Sequence, residues 1–266
     1  MSVTVEKIVS TMNAFYPTTL AESWDKVGLI AGDLSCEVRK IGFAVDPCEA
    51  TINEAIDRGA DMLITHHPLY LRGTSSVATD SSKGSWVHRL IKNDCALFAA
   101  HTNADAAGDG TAAAFADLLG LENTRPLDSN PDFPQLGIGR IGELPLTMSV
   151  LELAQRISAK IPQVPAGITI GGDPEKIVKT VAVSPGSGDS FLDRVKEVDA
   201  DVYITADLRH HPATDHLWSS DCALIGLTHF ASEWPLLPNL QKRLNAELGV
   251  ESYVSTIITD PWIMRI

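Results

Sequence analysis

The sequence has only four cysteines, Cys36, Cys48, Cys95 and Cys222, and none stands in a Cys-x-x-Cys pair. That excludes a zinc knuckle and a thioredoxin-type redox motif. Basic residues are scarce as well: 21 Lys plus Arg against 34 Asp plus Glu give a formal charge of −13. A protein that neutralises phosphates or sits on an anionic membrane needs a basic face, so nucleic acid and membrane are both disfavoured as partners. No apolar run approaches the ~20 residues of a membrane helix. Residues 1–16 carry polar and charged side chains throughout, unlike a signal peptide. Four scattered cysteines in a chain this long read as reduced, buried thiols, and the protein is expected to be cytoplasmic. The chain also lacks the Gly-x-Ser-x-Gly elbow of a serine hydrolase and the Gly-Lys-Ser/Thr ending of a P-loop.

What is present is a regular alternation of apolar segments over 266 residues, 44% of them hydrophobic, enough for one large domain or two small ones. Val5, Ile8, Met12 and Phe15 have helical spacing. Ile41–Val45, Asp61–Thr65 and Ala96–Ala100 read as buried strands, and Pro47–Arg58, Ser85–Asn93 and Gly110–Leu119 as helices between and after them. Further on, Val150–Ile161, Phe191–Val198 and Pro235–Leu248 read as helices. Ile168–Ile170, Val178–Val183, Val202–Thr205, Leu224–Thr228 and Tyr253–Ile258 read as strands. The β-α-β-α order implies an α/β fold. Residues 123–148 are irregular and rich in proline and glycine, and mark the best boundary. The expected organisation is two similar α/β halves, 1–125 (with 225–266 packing back on it) and 126–224. Each would hold a mainly parallel sheet covered by helices, with a metal site between the halves at strand ends.

A faint internal repeat supports the two halves. Ala60-Asp61-Met62-Leu63-Ile64-Thr65 is echoed by Ala200-Asp201-Val202-Tyr203-Ile204-Thr205, and Asp94-Cys95-Ala96-Leu97 by Asp221-Cys222-Ala223-Leu224. Each Ile-Thr strand is followed by a His-His-Pro, at 66–68 and 210–212, and each Cys-Ala-Leu strand ends at a histidine, His101 or His229. Ligands of open α/β sheets sit beyond the carboxyl ends of strands.

Three clusters carry chemistry: His66-His67-Pro68, His101-Thr102-Asn103-Ala104-Asp105, and His229-Phe230-Ala231-Ser232-Glu233. Plainer readings exist for each. His66 or His67 would be structural, Asp105 or Asn103 would cap a helix, and Ser232 would cap a helix that Glu233 favours as a first-turn acid. Together they supply three or four histidines and two carboxylates at strand ends, a sufficient set for two divalent metals. Imidazole and carboxylate donors suit zinc, iron, manganese or nickel rather than calcium or magnesium. Ser184-Pro185-Gly186-Ser187-Gly188-Asp189-Ser190 lies between a strand and a helix. It reads either as an anion-binding loop or, slightly better, as a tight turn that needs glycine. His88 and His216 read as surface histidines on helices.

These motifs resemble the GTP cyclohydrolase I type 2 homologue family, a Nif-three-like family of toroidal dinuclear-metal proteins. The resemblance spans nearly the whole chain. It rests on Trp24-Asp25 with Val27-Gly28-Leu29, Thr65-His66-His67-Pro68, His101-Thr102-Asn103 with Asp105, Gly186-Ser187-Gly188, Thr205 with His210-His211, and His229 with Ser232-Glu233. It implies His66, His67, Asp105, His229 and Glu233 as metal ligands for two divalent ions per subunit. It implies also a homohexamer built as a trimer of dimers. Lys26 stands where the family usually has Asn, and Ala206-Asp207 where it usually has Gly-Glu. The longer members' inserted domain is absent, so this is the short form. The leading expectation is a metal-dependent hydrolase acting on a nucleotide or related small molecule. His101 and Asp25 are the catalytic candidates: His101 as a proton donor or acceptor or equally as a support that holds Asp105 in place, Asp25 as a group that orients a metal ligand or equally as a cap of local backbone. The alternative is a non-catalytic metal-binding assembly, storage or regulatory protein.

Overall fold

In the computed structural model, which describes residues 2–266, the expected first helix spans Val5–Phe15 and buries Val5, Ile8 and Met12. Thr4 caps it by accepting the Lys7 amide at 3.2 Å, one of the four amides a helix start leaves unbonded. The fold is mixed α/β, divided into two units: Met1–Ala107 with Leu237–Thr259, and Gly108–Leu236 with Asp260–Ile266.

The first unit is organised on a five-stranded sheet. Its order is Glu251–Val254, Lys40–Ala44, Met62–Thr65, Ala96–Ala99 and Gly28–Ala31. The first four are mutually parallel, and Gly28–Ala31 closes the edge antiparallel. Met62–Thr65 and Ala96–Ala99 are buried at every position, which is why they read as unbroken apolar runs rather than alternating ones. The helices Glu49–Asp57 and Ser82–Lys92 cover one face, setting Ile52, Ala55, Val87 and Leu90 against Leu63 and Leu97.

The second unit holds a six-stranded sheet in the order Thr169–Gly171, Ala223–Leu227, Val202–Ala206, Ile177–Ser187, Arg140–Ser149, Glu122–Arg125. The three strands around Val202–Ala206 are parallel, while the remaining three pairings are antiparallel. One of these joins Thr169–Gly171 to Ala223–Leu227. The other two are made by Arg140–Ser149, a ten-residue strand interior to the sheet that overlaps residues 123–148, read from sequence as irregular. Its register shifts between Glu143 and Met148, and residues 145–147 are exposed, so no clean alternation survives in the sequence. Ser149 and Glu152 then form a reciprocal capping box for the helix Val150–Ser158, a pairing of about 1 kcal/mol.

The two repeated segments make matching hydrogen bonds. Asp61 Oδ2 accepts the Arg39 and Lys40 amides at 2.7 and 3.0 Å. Asp201 Oδ2 accepts those of Lys179 and Thr180 at 2.9 and 2.8 Å. Each aspartate's carbonyl then receives the next strand's first amide, Ala96 or Ala223. An aspartate at the start of each strand, through its carboxylate on one side and its main-chain carbonyl on the other, thus ties three neighbouring strands into register. His216 is not on the surface: it is 1% exposed, with Nε2 3.0 Å from the Cys222 carbonyl.

Candidate metal centre

Three histidines gather where the parallel strands of the first unit end. His66 and His67 follow Met62–Thr65 directly, and His101 follows Ala96–Ala99 by two residues. Their ring centroids lie 5.0, 5.3 and 5.4 Å apart, and one ring nitrogen of each falls within 4.8 Å of the others. His66 is almost wholly buried. Its Nδ1 stands 2.9 Å from the Ala100 carbonyl; a carbonyl only accepts, so Nδ1 carries the proton. His67 Nδ1 meets Asp46 Oδ1 at 2.7 Å, and His101 Nδ1 meets Asp25 Oδ2 at 3.0 Å. All three rings are thereby anchored through Nδ1, which makes Nε2 the atom each has to offer an ion.

Asp105 belongs to the short helix Thr102–Ala106. His101 is the N-cap, and among the described residues no side chain caps this helix; Asn103, inside it, accepts the His101 amide at Oδ1 at 3.0 Å. The Asp105 carboxylate stands 3.7 Å from His66 Nε2.

Asp25 is buried and its carboxylate is held below the ordinary range. Burial pushes it up, but donors from Thr102 and His101 together outweigh that. Those donors are the Thr102 hydroxyl at 2.6 Å, the Thr102 amide at 3.1 Å and the His101 ring, all on Oδ2; the Lys26 amide reaches Oδ1 at 2.7 Å. The first effect on His101 is burial and the second is neighbouring His66; both lower its pKa, against the opposing pull of Asp25 and Asp105. His101 is therefore neutral near pH 7, with its proton on Nδ1 and its lone pair on Nε2.

In the second unit, His229 and Glu233 stand four residues apart on the short helix His229–Glu233, a spacing that places both on one face. His229 Nε2 lies 2.9 Å from Glu233 Oε1, and Glu233 is 4% exposed. The His229 Nδ1 again meets an aspartate, Asp207 Oδ2, at 2.7 Å. Asp207 follows the strand Val202–Ala206 and adopts φ +52°, a left-handed conformation that aspartate tolerates better than most residues. The cap of this helix is Thr228, which accepts the Ala231 amide at 3.3 Å, not Ser232. Ser232 instead accepts the Gly186 amide at 2.8 Å and donates to the His229 carbonyl at 2.8 Å.

Gly186 lies within the Ser184–Ser190 segment. It sits at φ +72°, and a Cβ there would lie 2.5 Å from Glu233 Oε1 and 3.3 Å from His229 Nε2. The segment is not the tight turn expected: residues 184–187 complete the strand Ile177–Ser187 through a register shift against Val202–Ala206, and Asp189–Phe191 forms a single 3-10 turn. The Gly186 amide is given to Ser232 and the Asp189 carboxylate is bonded to Arg209. His210 and His211 start the helix His210–Ser219, largely exposed. Neither joins a ligand group among the described residues.

The donor set fits a divalent transition ion: imidazole nitrogens and carboxylate oxygens with no thiolate, each ring fixed from behind. The sequence reading did not find Asp46, and it left Asp207 without a role. Both follow apolar strands by one or two residues, and that was the signal available for finding them.

The Duf34/NIF3 (NGG1p interacting factor 3) family profile matches residues 3–261. A Streptomyces coelicolor protein named GTP cyclohydrolase 1 type 2 homolog is 44% identical, covering 98% of this chain and 94% of its own. A Clostridium perfringens protein of the same name is 34% identical, covering 96% and 97%. Among solved structures, a Bacillus cereus protein related to NIF3 superposes with a TM-score of 0.88 at 24% identity over 99% of both chains. The Staphylococcus aureus protein SA1388 gives 0.87 at 26% identity over 98% of both.

Proposed function

The chain belongs to the Duf34/NIF3 family, and from that premise we propose that it binds two divalent metal ions through His66, His67, Asp105, His229 and Glu233. The observation that carries this reading is the second row of partners. His66, His67 and His229 are each held at Nδ1 by a carbonyl or carboxylate, the arrangement that fixes the tautomer and aim of a metal-ligating imidazole. Zinc, iron, manganese and nickel all suit such donors.

The bound ions would supply Lewis acidity to a hydrolytic reaction, and the enzyme reading is a metal-dependent hydrolase. Its substrate class is a nucleotide or a related phosphorylated or heterocyclic molecule. The relatives' name supports that class, and no residue of this chain selects guanine. His101 serves as the proton acceptor at Nε2, neutral because it is buried. Asp25 holds it in place at Nδ1 and is itself fixed by Thr102 and Lys26. The homohexamer implied by the resemblance is part of the same reading. Among the described residues no helix is long and apolar enough to cross a membrane.

The test begins with metal content. Protein reconstituted with zinc, manganese or iron should hold close to two equivalents per chain by elemental analysis, and less than one would sink the proposal. Loaded protein is then screened against GTP, other nucleotides and phosphodiesters, with Glu233→Ala in parallel. A product that disappears in the variant supports the hydrolase. Full occupancy without turnover on any substrate supports a metal-binding assembly that does no chemistry. Light scattering checks the hexamer.

A further inference from the structure

The strand Glu251–Val254 runs parallel to Lys40–Ala44, so both exit at the same edge of the sheet. That edge is where Met62–Thr65 delivers His66 and His67. The amide of Ser255 continues the pairing to the Phe43 carbonyl at 2.7 Å. Four residues later Thr259 arrives beside Asp46, which itself follows Lys40–Ala44 by two residues. The Thr259 hydroxyl donates to Asp46 Oδ2, and Asp46 Oδ1 accepts from His67 Nδ1 at 2.7 Å. One carboxylate therefore has each oxygen committed, one to a ligand imidazole and one to the C-terminal segment.

We infer that Thr259 and Asp46 form a positioning relay for His67, so that docking of the C-terminal segment sets the aim of a metal ligand. This rests on the metal-binding reading above. The Asp46 side chain is 30% exposed and would otherwise turn toward water. A single hydrogen bond to His67 fixes its distance but leaves the carboxylate plane free to rotate. The Thr259 hydroxyl on the other oxygen removes that rotation. A carboxylate held at both oxygens keeps the imidazole in one orientation, and outer partners of this kind alter metal affinity without touching the ion. The alternative is that the contact merely anchors the C-terminal segment, in which case metal binding is indifferent to the hydroxyl.

The test uses the full chain with Thr259→Val, which keeps the shape and removes the hydroxyl. Thr259→Ser restores the hydroxyl, and Asp46→Ala and Asp46→Asn remove or neutralise the carboxylate. Zinc affinity is read by competition with a chromophoric chelator, and ligand geometry by the visible absorption of the cobalt(II) form. Melting of the metal-free proteins identifies any variant that fails to fold, and Asp46→Asn stands in for Asp46→Ala if that one does. Thr259→Val should bind zinc about 3- to 10-fold more weakly, the range of one hydrogen bond. Asp46→Ala should bind about 10- to 100-fold more weakly. Both should shift the cobalt bands, and Thr259→Ser should return affinity and spectrum to the wild-type values. Wild-type affinity and spectrum in Thr259→Val would overturn the relay, whatever the Asp46 variants do, while leaving the metal-binding reading intact. A wild type that binds no metal would overturn that reading, and the relay with it.

Discussion

Gly186→Ala separates a backbone effect from an effect on a ligand. At φ +72° the added methyl imposes the left-handed penalty, about 1–2 kcal/mol for an L-residue. It also lands 2.5 Å from Glu233 Oε1. The glycine cannot retreat, because its amide is bonded to Ser232 and its carbonyl accepts the Thr205 hydroxyl at 3.2 Å. The mobile partner is the end of the Glu233 side chain, which must recede by roughly 1 Å to regain ordinary contact. Such a shift costs little stability but exceeds the ~0.2 Å within which a ligand atom must be placed. Gly59→Ala is the control, since Gly59 sits at φ +62° with nothing within 4 Å of the added carbon. Both variants should lose a similar 1–2 kcal/mol in urea unfolding of the metal-free protein. Zinc affinity should fall at least 10-fold in Gly186→Ala alone. Equal zinc affinity in the two variants, at equal stability, would refute the placement of Glu233 as a ligand.

Two further outcomes follow from buried groups. Burial pushes the Cys95 and Cys222 thiols up to about 12, while Cys36 is exposed. At pH 8 an alkylating reagent should label Cys36 in the native protein and reach Cys95 and Cys222 only after unfolding; rapid native labelling of either, read by mass spectrometry, would contradict their burial. His216 is held below its ordinary 6.5, chiefly by burial. Between that native value and 6.5 the unfolded chain binds a proton that the folded chain refuses. Its contribution to stability is thus intact above pH 6.5 and is lost as pH falls through the interval below. His216→Gln should flatten the fall in stability between pH 7 and 5 relative to wild type, and parallel curves would show that His216 does not carry it.

Three strands of the first unit were legible because both faces are covered, while the last, read as Tyr253–Ile258, is Glu251–Val254. Lys40–Ala44, Met62–Thr65 and Ala96–Ala99 are buried at nearly every position, and continuous burial leaves a continuous apolar run. Two kinds of strand escaped. Gly28–Ala31 is an antiparallel edge strand, half-buried throughout, and its composition does not distinguish it from a loop. Arg140–Ser149 changes register midway and exposes residues 145–147, so proline and glycine dominate its appearance. His216 failed in the opposite direction: a helical histidine near acidic residues looks solvated, and only the packing of that helix shows it buried.

The candidate ligands and their partners were legible to different degrees for a physical reason. A ligand needs a rigid base, and the short motifs after Thr65, Ala99 and Thr228 put histidine where a strand gives way to a turn, which sequence can display. The partner needs only proximity in space. Asp46 precedes His67 by 21 residues, Asp25 precedes His101 by 76, Asp207 precedes His229 by 22, and Thr259 follows Asp46 by 213. Locally, each has a simpler explanation. Asp46-Pro47 before a helix looks like a cap, yet the cap of Glu49–Asp57 is Cys48, and the Asp46 carboxylate is engaged by His67. The excess of acids that first served to disfavour anionic partners therefore includes three aspartates, Asp25, Asp46 and Asp207, whose carboxylates hold the rings of His101, His67 and His229, the side chains proposed to meet the metal and the substrate.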